Sequence, residues 1–375
     1  MSSRCGCSNT TCYYTCFSSS SSSSSSSCSS SSSDDCHRKR HHKKKHHKKH
    51  HKRDKCHKEK KCKTIVDEKF AITNLVSNLP VIASNQDANL INSWGIILVN
   101  NKLWVANNGS GLITTYNLNG LPTAPVVTVP PAVSGTGNPT GIVYNSGPNF
   151  IITKNTDSGP ATVIVCTEDG TIAGYNQTVD SVNAITAVNR SGALAIYKGL
   201  AITSNNLYVA DFHNNRIDTF DGTFNLLAGY PFIDPSLPTG YAPFNIVYLC
   251  NKLYVLYAKQ DSAAEHNVTG PGNGFVSIFS LQGTFLGRLI SGGYLNSPWG
   301  LAKTNCGALL IGNFGDGTIG IYNENGLFMG RLQDRNELDI IIGGLWGLIY
   351  GPIMYFSSGP NNKINGLVGS LALTC

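Results

Sequence analysis

The sequence contains no run of about 18 or more apolar residues, so it offers no segment long enough to cross a bilayer as a helix. The amino-terminal stretch MSSRCGCSNTTC lacks the apolar core of a secretory signal peptide, which argues against export by the usual route. The sequence also has no GxSxG, no HExxH and no glycine-rich phosphate loop placed before a helical segment. These absences leave no standard catalytic motif, and an enzyme is not the favoured expectation.

Charge is distributed very unevenly along the chain. Residues 1–63 hold 16 of the 29 Lys and Arg but only 4 of the 22 Asp and Glu, which gives them a formal charge of +12. The remaining 312 residues carry −5, so the whole-chain value of +7 describes neither part. A protein that binds nucleic acid over a uniformly basic surface is therefore excluded.

Residues 1–63 have the composition of a disordered tail that is rich in Ser and Cys and then polybasic. The stretch 18–33 is Ser except for Cys28, and such a tract buries too little apolar surface to offset the entropy of ordering it. Residues 37–63 alternate Lys and Arg with His and have no hydrophobic period. We expect this polycation to bind a polyanionic surface or assembly by releasing counterions.

The tail also contains side chains that bind metals or form crosslinks. Its histidine pairs are adventitious ligands for Zn²⁺ or a similar ion, at His41, His42, His46, His47, His50 and His51. The first four cysteines miss the paired CxxC spacing of a zinc finger and are either reduced thiols or crosslinking points, at Cys5, Cys7, Cys12 and Cys16. A solvated charge run is favoured over a structural metal site, so no cofactor is predicted.

Residues 64–375 contain one unit repeated six times, at intervals of 46 to 58 residues. Its first element contains a recurring glycine, replaced by Asn in the fourth copy: SWGI (93–96), PTGI (139–142), YKGLAI (197–202), PFNI (243–246), PWGL (298–301) and LWGL (345–348). Its second element is a short apolar run: LWVAN (103–107), FIITK (150–154), LYVAD (207–211), LYVLY (253–257), LLIGN (309–313) and MYFSS (354–358). A third run such as GTIGIYN (317–323) and a weaker fourth follow.

Short β-rich runs repeated at this period are typical of the blades of a β-propeller. Six units predict an all-β, six-bladed propeller over residues 64–375. The sixth unit has too few residues for four strands, whereas FAITNLVSNLP (70–80) precedes the first unit and belongs to none. We therefore expect this amino-terminal segment to complete the last blade, which removes an exposed sheet edge.

Several longer strings carry a family resemblance over about residues 72–372. They include GTGNPTGIVYN, TEDGTIAGYN, ADFHNNRIDTFDGTF, LNSPWGLA, GNFGDGTIGIYN and GLWGLIYG. With these strings the chain resembles an uncharacterised family of mostly bacterial proteins that are similar to NHL-repeat propellers, some with PEP-CTERM sorting signals. The resemblance implies the propeller fold and no particular activity. The Ser, Cys and His/Lys tail stands where exported relatives have a signal peptide.

The repeat predicts a ring of side chains at one mouth of the central channel. The ring consists of the residue before each repeated glycine or its replacement: Trp94, Thr140, Lys198, Phe244, Trp299 and Trp346. Aromatic faces with a Lys and a Thr suit stacking on a glycan or gripping a peptide. The alternative, which is favoured, is that these rings plug the channel and pack the blades together.

The favoured function is a non-enzymatic binding or structural module, a component of a virion-like surface or coat attached through residues 37–63. One alternative is a metal-dependent hydrolase of the lactonase or esterase type, which requires Ca²⁺ or Zn²⁺ in the channel. A second alternative is a glycan-binding propeller. The sequence does not identify the ligand, the host compartment or the oligomeric state.

Overall fold

The structure is a computed structural model that describes residues 65–351 and 353–374. The candidate metal and crosslinking residues of the tail lie outside these residues, as does the tail itself. Regular structure in the described part is almost entirely β. The helical pieces are single turns, at Ile65–Asp67, Ser191–Ala193 and Pro360–Lys363. None of the described helices has the length and apolar character needed to span a membrane.

Strands β1 (Phe70–Ser77) and β2 (Asn85–Gln86) come before the first repeat. The first two repeats contain β3 (Ser93–Val99), β4 (Lys102–Asn107), β5 (Leu112–Asn117), β6 (Pro122–Thr128), β7 (Pro139–Tyr144), β8 (Ile151–Lys154), β9 (Asp157–Pro160), β10 (Val163–Thr167), β11 (Thr171–Tyr175) and β12 (Ile185–Asn189). The third and fourth contain β13 (Tyr197–Ile202), β14 (Asn206–Asp211), β15 (Arg216–Asp221), β16 (Tyr241–Leu249), β17 (Lys252–Lys259), β18 (Phe275–Phe279) and β19 (Phe285–Ser291). The last two contain β20 (Pro298–Lys303), β21 (Leu309–Asn313), β22 (Ile319–Tyr322), β23 (Phe328–Arg331), β24 (Leu345–Tyr350), β25 (Met354–Ser358) and β26 (Leu367–Leu373).

These strands form six antiparallel blades arranged in a closed ring, which confirms the six-bladed propeller. The inner strand of each blade contacts the inner strand of the next, and β24 contacts β3 to close the circle. In the last blade the strand order is β2-β1-β26-β25-β24. Strand β1 pairs antiparallel with β26 from Phe70 opposite Leu373 to Ser77 opposite Leu367. The prediction that the amino-terminal segment completes the last blade is therefore confirmed.

The hydrophobic core is divided among the interfaces between blades. Six apolar clusters each combine residues of two neighbouring blades, and a seventh lies on the channel axis. Between the last and first blades, for example, Val76 and Tyr355 pack with Val105 and Tyr116. Side chains alternate between the two faces of a strand, so a blade with a neighbour on each side buries both sets. This double burial explains why the second-element runs are apolar at nearly every position.

The repeated glycines allow neighbouring inner strands to approach closely. A Cβ atom added to Gly300 would lie 2.7 Å from the carbonyl oxygen of Trp346, and one added to Gly95 would lie 2.7 Å from that of Thr140. The fourth blade has Asn245 at this position, and its side-chain amide donates a hydrogen bond to the carbonyl oxygen of Trp299 at 2.7 Å. The repeat glycine is thus required by the contact between blades.

Two sequence assignments were wrong in detail. The run FIITK (150–154) was expected to be the second strand of blade 2, but that strand is β10, and β8 instead pairs with β9 in a separate hairpin. All five residues of β10 are buried, whereas three of the four in β8 are exposed, so placing β10 inside buries more apolar surface. Blade 3 has three strands, and no fourth is present among its described residues.

We expect Gly300→Ala to destabilise the propeller by about 1 to 3 kcal/mol, because the added methyl group would overpack the contact with blade 6. Gly343→Ala is the matched control, since a Cβ atom there meets nothing within 4 Å. Urea denaturation of both variants measures the difference. Equal midpoints would contradict the role assigned to the repeat glycine.

Candidate functional site

The predicted ring residues all lie at β-bulges. In every blade the pairing of the inner strand with the second strand shifts register at the ring residue. In blade 5, for example, Pro298 pairs with Asn313 and Gly300 with Gly312, which leaves Trp299 as the extra residue. A bulge redirects a side chain from the face of a strand. A β-bulge therefore orients the side chain at all six ring positions.

The aromatic ring residues pack together on the channel axis. Trp94 stacks on Trp346 with ring centroids 3.6 Å apart, and Phe314 stacks on the same indole at 4.0 Å. Trp299 meets Trp94 and Trp346 edge-on, at 6.2 and 5.9 Å. Phe244 joins the same cluster, and the three indoles are 5% exposed or less. The ring faces that Trp94 and Trp346 turn towards each other are therefore closed to any ligand.

The two polar ring residues make different contacts. Thr140 is buried and donates a hydrogen bond to the carbonyl oxygen of Tyr197 in the next blade at 2.9 Å. Lys198 is 2% exposed, and its ammonium lies 5.6 Å from the ring centre of Trp94. The ammonium is also paired with the carboxylate of Glu168. A buried cation requires such a partner, because desolvation of an unpaired charge is costly.

A chain of hydrogen bonds continues from this ion pair across the mouth. The second carboxylate oxygen of Glu168 accepts a bond from the Asn108 amide at 2.9 Å. Asn108 in turn accepts one from the Asn92 amide at 2.9 Å, and Asn92 accepts the indole N–H of Trp346 at 3.2 Å. The network links blades 3, 2, 1 and 6 above the aromatic cluster. Glu168 therefore has partners for both carboxylate oxygens.

The charge balance at the mouth shifts the pKa of two groups. Burial alone would raise the pKa of Glu168, but the charge and hydrogen bond of Lys198 outweigh it, and the pKa is lowered. Lys363 is half-buried on the loop after β25, with its ammonium 5.4 Å from the ring centre of Phe314 and 5.8 Å from that of Trp346. Burial lowers its pKa, the opposite charge of Glu168 offsets part of this effect, and the like charge of Lys198 adds to it. No acceptor for its ammonium is found among the described residues.

Sequence reasoning missed Glu168, Phe314 and Lys363. Glu168 and Phe314 each directly follow the second strand of their blade, and Asn108 and Phe212 hold the same position in blades 1 and 3. Aligning the residue after each second strand would have revealed this second ring. Lys363 lies in a loop with no counterpart in the repeat, so no sequence signal marked it.

Polar side chains at the ends of two second strands, Asp211 and Asn313, have hydrogen-bond partners within their own blades. The Asp211 carboxylate accepts a bond from Asn214 at 2.8 Å and pairs with Arg216 at 3.2 Å. Asn313 accepts the backbone N–H of Asn296 at 3.0 Å. Within residues 65–351 and 353–374, no three His, Cys, Asp or Glu side chains are grouped as metal ligands.

We expect Glu168→Gln to destabilise the chain by about 3 to 5 kcal/mol at neutral pH, because it leaves the Lys198 ammonium buried without a counter-charge. Since the pKa of Glu168 is lowered on folding, its stabilising contribution is present above its ordinary value of 4.5 and is lost as the pH falls through the folded value. The variant should therefore lose less stability than the wild type on acidification. Thermal unfolding between neutral and acid pH measures both effects.

The control for this variant is Glu324→Gln, which breaks a pair with Lys303 in which the Glu324 side chain is 57% exposed. A screened pair of that kind contributes less than about 1 kcal/mol. If both variants lost the same small amount of stability, the buried Glu168–Lys198 pair would stabilise the fold no more than an exposed pair does, and the prediction would be wrong.

Comparison with known proteins identifies relatives but no activity. No protein-family model matches the chain. It is 38% identical to the uncharacterised protein L690 of Acanthamoeba polyphaga mimivirus over 319 residues, covering 80% of this chain and 85% of L690. It is also 38% identical to the uncharacterised protein R648 of the same virus over 319 residues, covering 80% of each chain. A solved structure of a Bacteroides thetaiotaomicron protein of unknown function is similar in fold, with a TM-score of 0.53, 13% identity, and coverage of 82% of this chain and 77% of the other.

The relatives in sequence are viral proteins, so the expected bacterial origin of the family is not supported. The likeness to the Bacteroides protein concerns the fold alone. By its identity to L690 and R648 across most of their length, the chain belongs to the same family as these uncharacterised mimivirus proteins.

Proposed function

We propose that the chain is a non-enzymatic binding and structural module, attached through residues 37–63 to an anionic surface or assembly. The observation that carries the proposal is the filled channel axis. The stacked rings of Trp94, Trp346 and Phe314 occupy the position where a propeller enzyme would need space for substrate. A propeller with a rigid, filled axis suits a module that binds other molecules through its outer surface or packs into an assembly.

The electrostatics of the mouth support a role without acid–base chemistry. A general acid or base works best with a pKa near the working pH. The pKa of Glu168 is shifted away from that range, and both of its carboxylate oxygens have hydrogen-bond partners. This arrangement holds three blades together and favours the ionised form of the carboxylate.

The division of charge supports attachment through the tail. A +12 segment beside a −5 domain is expected to bind polyanions while the domain itself is repelled by them. The relatives are proteins of a large virus, and we propose a virion-like particle as the assembly. The cysteines Cys5, Cys7, Cys12 and Cys16 would then supply crosslinks in an oxidising environment.

Replacing every Lys and Arg of residues 37–63 with Gln should sharply lower the salt concentration at which the full chain elutes from a heparin column, because counterion release is lost. The control replaces His41, His42, His46, His47, His50 and His51 with Asn and keeps the Lys and Arg residues. Unchanged elution of the Gln variant, or an equal shift in the His control, would refute attachment by charge.

In the native source, mass spectrometry of purified particles and of lysate should find the wild type and the His control in the particles, and the Gln variant in the lysate only.

A second candidate function, binding of an acidic glycan, is favoured by Lys363. Its ammonium lies beside the half-buried Phe314 ring and has no acceptor among the described residues. A carboxylate or sulfate group of a sugar would supply the missing hydrogen-bond acceptor, and the aromatic ring would contact the sugar face. The paired Lys198 is not available for this role because Glu168 already neutralises it.

We expect the full chain to bind acidic glycans on an array and Lys363→Met to lose that binding at least about tenfold, the loss typical of a charge-assisted contact. Lys102→Met is the control, because Lys102 lies at the opposite end of β3 and β4 from the mouth. Binding of neutral glycans only, or equal binding by both variants, would contradict this second function.

A further inference from the structure

Blade 3 differs from the others at its outer edge. In the five other blades a fourth strand pairs with the third strand along nearly its whole length. The pairing reaches the first or second residue of the third strand, as in the pairs Leu112–Thr128 and Phe275–Ser291. In blade 3 the chain follows β15 only as far as a bridge between Phe220 and Leu226 and a bond from the Leu227 N–H to the Thr219 carbonyl, at 2.8 Å. The first half of β15 therefore has no fourth strand beside it.

The backbone of β15 retains unused hydrogen-bonding groups along this half. The N–H of Asp221 and the carbonyl of Thr219 bond outward, away from β14. Hydrogen-bonding direction alternates along an antiparallel strand, so the N–H of Thr219 and both groups of Ile217 also point outward. No described residue bonds to these three groups. Such an edge is a template for another strand.

The side chain of Thr219 gives independent evidence of a missing strand. The equivalent residue of blade 1 is Thr115, whose hydroxyl donates to the carbonyl oxygens of Thr123 and Pro125 in the fourth strand, at 2.9 and 3.1 Å. Thr219 is 1% exposed, and its hydroxyl has no partner among the described residues. A buried hydroxyl without a partner costs free energy. In blade 3 the described residues supply no acceptor strand, and the donor remains.

A cavity of about 320 Å³ lies at this edge. Its lining includes the uncharged residues Ile217, Thr219, Leu227 and Tyr230 and the charged residues Arg190, Arg216 and Asp218. The Arg216 guanidinium pairs with the carboxylates of Asp218 at 2.8 Å and Asp211 at 3.2 Å. Arg190 lies 3.8 Å from the same Asp218 carboxylate. The two arginines and two aspartates therefore balance in formal charge, while the backbone groups of the strand edge and the apolar side chains of the cavity have no partners among the described residues. The complementary occupant is an uncharged, extended segment with large side chains.

We propose that residues 10–17 of this chain, TTCYYTCF, bind along the open half of β15 and complete the fourth strand of blade 3. This stretch carries no charge and is rich in Thr, Tyr and Phe, the residue types favoured in strands. It contains all three aromatic residues of the first 64, at Tyr13, Tyr14 and Phe17. Such pairing would supply the acceptor that the Thr219 hydroxyl lacks and apolar side chains for the cavity.

The length of the chain permits this pairing within one molecule. Residues 18–64 separate the segment from Ile65, and an extended chain of that length reaches about 150 Å. Ile65–Asp67 lies against β23 of blade 5, two blades from β15 around the ring. Tethering makes the pairing intramolecular and raises the local concentration of the segment. The basic residues 37–63 remain outside the pairing and stay available for attachment.

Hydrogen exchange of the full chain, followed by mass spectrometry under reducing conditions, tests the pairing. The variant Thr11→Pro, Tyr13→Pro, Thr15→Pro removes backbone donors from the segment, and Ser20→Pro, Ser22→Pro, Ser24→Pro is the matched control. We expect the amides of Ile217 and Thr219 to exchange at least about tenfold faster in the first variant than in the wild type and the control. The amides of β22 serve as an internal reference and should not change.

Equal exchange of Ile217 in the wild type and the first variant would overturn the proposal. Protection that rises with protein concentration would also overturn it, since the strand would then come from a second copy. Thr219→Val gives a second measurement: we expect faster exchange in residues 10–17 without a lower unfolding midpoint. A Thr219→Val variant that leaves this exchange unchanged would contradict the assigned acceptor. Residues 37–63 are untouched in all of these variants, so attachment by charge is tested separately.

Discussion

The pairing of β1 with β26 is the contact on which the rest of the molecule depends. Each blade buries side chains on both of its faces, so no blade can be left without a neighbour on either side. The last blade obtains its outer strands from the beginning of the domain, and this joins the two ends of the ring. Two of the six interfaces contain residues of β1, and they would be incomplete without it.

Closure in turn determines what occupies the axis. Five of the six inner strands approach the next blade so closely that a β-carbon at the repeated glycine would collide with it. The bulge before each glycine directs the larger side chains of Trp94, Trp299 and Trp346 to the centre, where they fill the space the strands enclose. Packing of the blades and filling of the channel are thus one geometric arrangement, and the polar network of Glu168 is built on top of it.

Polar groups in the interior mark the places where this molecule departs from a regular propeller. The Glu168–Lys198 pair joins neighbouring blades at the mouth. Each charge can be buried because the opposite charge offsets the cost of its desolvation. The Thr219 hydroxyl lies where the repeat would supply a strand and the described chain does not. The Lys363 ammonium lies at the same channel mouth as the hydrogen-bond network of Glu168. The first of these features stabilises the ring, and the other two offer it sites for contact with other groups.

The number of blades, the closing role of residues 70–80 and the meeting of the aromatic ring positions on the axis could all be predicted from the sequence, because each follows from a local pattern repeated at a fixed interval or from the one incomplete copy of it. The folded chain was needed to show that VIVCT and not FIITK is the second strand of blade 2, since two apolar runs competed for one buried position. It was also needed to show that Glu168 meets Lys198 and that the described residues give blade 3 no full fourth strand. These features depend on loops from different blades meeting around an axis, and no spacing along one repeat encodes such a meeting.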